Sequence, residues 1–275
     1  MTSSDARADS VISFESVCLA FDEGDILRNL SFHVASGETL GLLGETGSGK
    51  TLALKLAAGL LQPDSGRVRV LGREVSSMTE DELLAFRRQI GFVFQEGALF
   101  DSLTVADNVA YRLREDGLPE EAIDPRVREA LRFVELEDAI EKLPAELSGG
   151  MRRRVSIARA LVSHPPVVLY DSPTAGLDPI TSQTIITLLL RLRDLQGVTA
   201  ILATHRLQDV FALANYRFDA ASGCVVHRPE PPDAAVCNGF PLTRFLVLRE
   251  GTVYFEGDQH AVLSSPDPYL KRFLV

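Results

Sequence analysis

A chain of 275 residues, 45% of them hydrophobic, can bury one sizeable core, enough for a single α/β domain that carries an insertion. Its formal net charge of −10 and pI near 5.1 lack the basic footprint that phosphate-backbone binding needs, which excludes nucleic acid as a main partner. Cys18, Cys224 and Cys237 fall at no metal-ligand spacing, and their odd number argues against a disulfide framework, so reduced thiols in a cytosolic compartment are expected. No apolar run reaches signal-peptide length at the N-terminus, and none approaches the roughly 18 residues of a membrane span, so any membrane role is expected to come through partners.

The opening MTSSDARADS reads as a disordered tail (1–10), and 11–275 as one domain. Residues 11–20 and 31–34 are β-rich and read as an antiparallel edge, followed by the apolar run 39–43, a buried strand that leads straight into glycines. The pattern over 50–59 is helical and stops at Gly59 and the turn-rich QPDSG, before a short strand at 67–70. Residues 79–89 read as a charged helix and 90–95 as an apolar strand with a polar end. From 97 to 164 charged helical segments are cut by Pro119, Pro125 and Pro144 with no strand among them, the pattern of an inserted helical subdomain. Strand 167–170, helix 180–195 and strand 198–203 then restore an alternation that predicts a parallel sheet with helices on both faces. Residues 219–242 are rich in Pro, Ala and polar side chains without a period, and read as a surface excursion before a last strand pair over 245–255.

Residues 44–51, GETGSGKT, match the P-loop pattern between a predicted strand and a predicted helix, the context that the pattern requires. Gly44, Glu45, Thr46, Gly47, Ser48 and Gly49 would wrap a phosphate, because glycines let successive N–H groups and the helix N-terminus converge on it. Lys50 supplies a mobile point charge to the β- and γ-phosphates of ATP, and the Thr51 hydroxyl a ligand for Mg²⁺. Such a site needs a second magnesium-side carboxylate at the end of a buried strand, and VVLYD puts Asp171 there. A lone Asp after apolar residues commonly caps a helix or forms a turn, so this assignment leans on the P-loop upstream.

LSGGM at 147–151, running into RRRVSIARAL, resembles the signature of ABC transporter ATPases. The resemblance implies the ABC ATPase fold: a P-loop NTPase parallel-sheet core with an antiparallel β edge and an inserted α-helical subdomain. It implies that Ser148, Gly149 and Gly150 meet the γ-phosphate held by the opposite subunit of a head-to-tail dimer. Further stations of the family pattern follow in order. Gln95 in GFVFQ matches the glutamine that approaches Mg²⁺ and the attacking water. Asp178 in AGLD matches the loop that crosses the dimer interface, His205 in ILATH the histidine that bonds the γ-phosphate, and Phe21 the aromatic that stacks on adenine. Arg152, Arg153 and Arg154 read as the solvated face of the signature helix.

One position departs from the family. Where a glutamate normally follows the strand-end aspartate and polarises the hydrolytic water, this chain has Ser172, which accepts no proton as a carboxylate does. Binding and closure are expected to survive and turnover to be slow. Another group replaces the base, or the protein is an ATP-gated switch, or the position was altered to hold ATP unhydrolysed. Residues 97–115, GALFDSLTVADNVAYRLRE, with the methionine after SGG, DPIT at 178–181 and the final SSPDPYLKRFLV, resemble the ATPase subunits of MCE-associated, Mla-type lipid transporters. That resemblance implies a lipid cargo, a transmembrane permease, an MCE-type substrate-binding protein, and a place on the cytoplasmic face of the inner membrane. An ABC ATPase for another cargo stays open, as do a regulatory subunit that hardly hydrolyses and a homodimer or a heterodimer with a paralogue.

Overall fold

The computed structural model of the chain describes residues 10–21, 24–228 and 243–274. The expected tail, Ser10 apart, and residues 229–242 of the expected excursion lie outside the described residues. Two long strands, β1 (Ser10–Phe21) and β2 (Gly24–Ala35), come first and lead to β3 (Thr39–Gly44), α1 (Lys50–Ala57), β4 (Ser65–Val70) and β5 (Arg73–Glu74). Next come α2 (Glu80–Arg87) and β6 (Ile90–Val93), then three helices, α3 (Val105–Glu115), α4 (Glu120–Phe133) and α5 (Gly149–Leu161). The chain returns through β7 (Val167–Asp171), α6 (Pro179–Gln196), β8 (Thr199–Thr204) and α7 (Leu207–Asn215). It closes with β9 (Tyr216–Asp219), β10 (Cys224–His227), β11 (Thr243–Arg249), β12 (Thr252–Gly257), α8 (Gln259–Ser264) and α9 (Pro268–Leu274).

The main sheet has the order β12-β11-β3-β8-β7-β6, parallel throughout except for β12 at one edge. Its inner strands are apolar on both sides, as a sheet covered on both faces must be. Val168, Tyr170, Ala200, Leu202, Phe245 and Val247 face a layer formed with α3 to α7. Their alternate neighbours Val167, Leu169, Ile201, Ala203, Leu246 and Leu248 face the other layer, shared with β1, β2, β4, α1 and α2. The antiparallel edge expected from residues 11–20 and 31–34 is a separate sheet in the order β2-β1-β4-β5. Because β3, β6, β7 and β8 run in parallel, the loops after Gly44, Val93, Asp171 and Thr204 all leave the same end of the sheet, where ligands of open α/β sheets bind.

Local signals set the element ends that matter here. Thr79 and Glu82 form a capping box at the start of α2, and Asp178 caps α6 with Pro179 at its first position. Asn108, fully buried, donates Nδ2 to the carbonyls of Phe100, Leu103 and Thr104 and accepts from the Phe100 N–H, which pins the loop before α3. Three expectations change. Pro125 does not cut a helix but sits inside α4, at the cost of one backbone hydrogen bond. The excursion expected to begin at Asp219 starts as a hairpin, since Cys224 pairs with Asp219 and His227 with Tyr216. Arg153 is buried rather than solvated, and all three arginines of the run are spent on carbonyls: Arg152 on Leu147, Arg153 on Phe94, Arg154 on Val134.

Candidate nucleotide-binding site

The chain leaves β3 at Gly44 and winds into α1 through a loop that only glycine allows at two points. Gly44 has φ 150°, and a Cβ there would lie 2.5 Å from the Leu248 carbonyl oxygen; Gly49 has φ 98°, and a Cβ would lie 2.4 Å from Leu27 Cδ2. No side chain caps α1, so its first N–H groups face the loop without intrahelical partners, the arrangement that receives an anion. Lys50 Nζ donates to Gly44 O at 2.8 Å, Glu45 O at 2.8 Å and Ser48 Oγ at 3.4 Å, so the ammonium lies within the loop's own curve. Burial pulls the Lys50 pKa below its usual value, and the charge of Asp171 opposes that shift.

Two strands away, β7 delivers Asp171 to the same place. Thr51 Oγ1 donates to Asp171 Oδ1 at 3.1 Å, which joins the two groups expected on Mg²⁺ across 120 residues of sequence. Burial raises the Asp171 pKa, while the Thr51 hydrogen bond and the Lys50 charge pull it down. A half-buried hydroxyl and a buried carboxylate in contact beside a lysine match the chemistry of a magnesium–phosphate site, so these residues fit MgATP. Ser172 follows in left-handed backbone at φ 47°, donating its N–H to Ala203 O at 2.8 Å and accepting from the Ala175 N–H at 3.1 Å.

The other expected residues sit around this centre. Gln95 is exposed in a turn where Gly97 N–H donates to Phe94 O, and α5 holds that turn on both sides: Arg153 donates to Phe94 O, and Arg159 to Gly97 O and Ala98 O. Phe21 is 49% exposed at the end of β1. His205 is exposed just past β8. Ser148 caps α5 by accepting from the Met151 N–H at 3.2 Å. The start of α5 packs on the start of α6 so closely that a Cβ on Gly150 would lie 2.3 Å from Thr181 Cγ2. Asp178 accepts from the Thr181 N–H at 3.0 Å, and hydrogen bonding from the Thr181 hydroxyl and then its N–H holds the Asp178 carboxyl below the usual range. Lys50, Thr51, Asp171 and Ser172 are thus brought together, whereas Ser148, Gly149 and Gly150 lie on α5, which packs on α3, α4 and α6.

A second polar group was not anticipated. Asp209, 3% exposed in the first turn of α7, accepts from Thr174 Oγ1 at 2.5 Å and from Thr204 Oγ1 at 3.3 Å, with Arg206 Nε 3.6 Å from its other oxygen. Burial raises its pKa against the pull of these partners. The only signal for it in the sequence is an acid four residues after His205, in a run that otherwise reads as an apolar helix.

A glycine-lined strand-to-helix turn with its lysine, and a strand-end carboxylate bonded to its threonine, define a P-loop nucleotide-binding protein. The family model described as "ABC transporter" matches residues 27–175, more than half of the chain. Over 225 residues the chain is 38% identical to the methionine import ATP-binding protein MetN 2 of Salmonella paratyphi A, covering 80% of this chain and 67% of that one. Over 210 residues it is 39% identical to MetN of Brucella abortus, covering 76% of this chain and 57% of that one. The chain belongs to the ABC transporter family, in its ATP-binding part.

Among solved structures, a dimeric post-hydrolysis state of the ATP-binding cassette MJ0796 bound to ADP and Pi matches with TM-score 0.75 and 29% identity, over 90% of this chain and 98% of that one. The cbiO1 protein of Clostridium perfringens, part of the transporter complex cbiONQ, matches with TM-score 0.76 and 28% identity, over 97% of this chain and 95% of that one. The ABC ATPase fold is therefore the fold of this chain, and ATP with Mg²⁺ is the cofactor pair of the family. The MetN relatives are methionine import ATP-binding proteins and do not support the expected closeness to Mla-type ATPases. No helix among the described residues is long and apolar enough to cross a membrane.

Proposed function

We propose that this chain is the ATP-binding motor of an ABC transporter: it grips MgATP between 44–51 and Asp171, and closes as a dimer beneath a transmembrane permease. The observation that carries this reading is the Thr51–Asp171 contact at 3.1 Å beside Lys50, at the end of the sheet where four loops converge. In this reading Lys50 turns from Gly44 O and Glu45 O to the phosphates, Thr51 and Asp171 hold the metal with Gln95, and Phe21 lies against adenine. His205 bonds the γ-phosphate, and Asp178 stands at the dimer interface. Ser148, Gly149 and Gly150 cover the γ-phosphate of the other subunit, with the α5 N-terminus as an anion site. The bound metal neutralises charge that develops on the phosphates. Residues 11–275 act as one domain, with 97–164 as its helical signature subdomain.

The test is ATP hydrolysis by the chain co-purified with its permease. Turnover stimulated by the permease is the expected result, and no nucleotide binding in the complex would end the reading. Ser172 favours a second reading, a regulatory subunit that closes on ATP and retains it; ATP held without phosphate release in the same assay supports that one. The names of the relatives favour methionine as cargo, whereas a lipid cargo and an MCE-type partner rest on the sequence at 97–115, Met151, 178–181 and the C-terminal SSPDPYLKRFLV. Because these relatives extend beyond the matched part, transport of methionine or of phospholipid by the reconstituted complex decides between the two.

Dimer closure yields its own prediction. Ser148→Arg puts a cation and a long side chain where Ser148 caps α5, and leaves 44–51 untouched. Sedimentation with MgATP should then show monomer where the unaltered chain shows dimer, with ATP affinity of the monomer unchanged. Dimer formation by the variant would remove the signature from the closed site.

A further inference from the structure

We propose that Asp209 is a positioning residue that fixes His205 for contact with the γ-phosphate and ties it to the loop after Ser172; this rests on the reading of His205 above. The Thr204 hydroxyl accepts from the Arg206 N–H at 3.0 Å and donates to Asp209 Oδ2 at 3.3 Å, so the peptide that follows His205 is oriented from below by one carboxylate. The same oxygen accepts from Thr174 Oγ1 at 2.5 Å, two residues past Ser172. Arg206 completes the link, since its Nη1 donates to Ser182 Oγ at 3.0 Å and to Thr174 O at 3.4 Å. One carboxylate therefore joins the end of β8, the loop after β7 and, through Arg206, helix α6.

Core filling alone does not explain this choice of residue. Thr174 and Thr204 are 0% and 1% exposed, and desolvating a carboxylate to receive their hydroxyls costs more than closing the same space with apolar side chains. What the carboxylate adds is directional: His205 stays exposed, and Asp209, Thr204 and Arg206 leave the backbone beneath it little freedom. His205 and the 172–178 loop are thereby held to one another, so that a movement of either is felt by the other.

The experiment measures the ratio of the ADP to the ATP dissociation constant with Mg²⁺ by calorimetry, a quantity that reports recognition of the γ-phosphate and needs no turnover. His205→Ala sets the scale by lowering that ratio. Asp209→Asn is expected to lower it by about tenfold, as the loss of a charge-assisted hydrogen-bond hub would, while ADP affinity stays put. Combined with His205→Ala it should lower the ratio no further, because both act through one contact. The proposal is overturned if Asp209→Asn keeps the ratio of the unaltered chain while His205→Ala lowers it, or if the two effects add in full, as for a purely structural residue. If Asp209→Asn does not fold, Thr174→Val removes one donor, keeps the carboxylate and is read in the same way. A ratio unmoved by His205→Ala overturns the role of His205 itself, and this proposal with it.

Discussion

Ser172→Glu is expected to raise the rate of phosphate release by at least about tenfold, because a general base in reach of the attacking water is typically worth about 10² to 10⁴ in rate. The scaffold is ready for that carboxylate. Position 172 follows Asp171 directly, and its backbone is held at φ 47° by hydrogen bonds to Ala203 O and from Ala175 N–H. Neither bond involves the side chain, so glutamate inherits the same backbone. An unbranched glutamate meets the left-handed region at a cost close to that of serine. Binding is set elsewhere, by Lys50, Thr51 and Asp171, so the dissociation constant for MgATP should hardly change while phosphate release accelerates. Unaltered phosphate release in the glutamate variant would mean that another group already serves as base, or that chemistry does not limit the cycle.

How much of this could be read from the sequence depends on the range of the interactions involved. The P-loop was legible because its chemistry is local: glycines and a lysine in one stretch, between an apolar strand and a helix. Asp171 was legible because VVLY is buried on both faces and can only be an inner strand. Asp209 was not, since its partner Thr174 lies 35 residues away and only the parallel neighbours β7 and β8 bring the two together. The hairpin of β9 and β10 escaped notice because its strands have four residues each, too few to show a period. Arg153 was misread for a different reason. A run of three arginines looks solvated, yet a helix turns them to three directions, and the middle one meets the Phe94 carbonyl. The Mla-type resemblance rested largely on 97–115, a stretch whose buried Asn108 and Val109 serve the fold around α3.

Lys50→Ala tests the claim on which the others stand. In the unaltered chain Lys50 is 9% exposed and its ammonium is held by Gly44 O, Glu45 O and Ser48 Oγ, with burial depressing its pKa against the opposing charge of Asp171. A cation kept in so poorly compensated a place is poised for an anion that would complete its surroundings. Hydrogen bonds to charged groups contribute about 1.5 to 3 kcal/mol each, so the loss of Lys50 should weaken MgATP binding by at least about tenfold. Lys50→Arg is not expected to restore it, because the planar fork cannot take the place of a compact ammonium inside a loop of this curvature. The same titration on Ser172→Glu should give the affinity of the unaltered chain, which separates grip from turnover. MgATP binding by Lys50→Ala with undiminished affinity would remove the phosphate from the glycine-lined turn, and the motor reading with it.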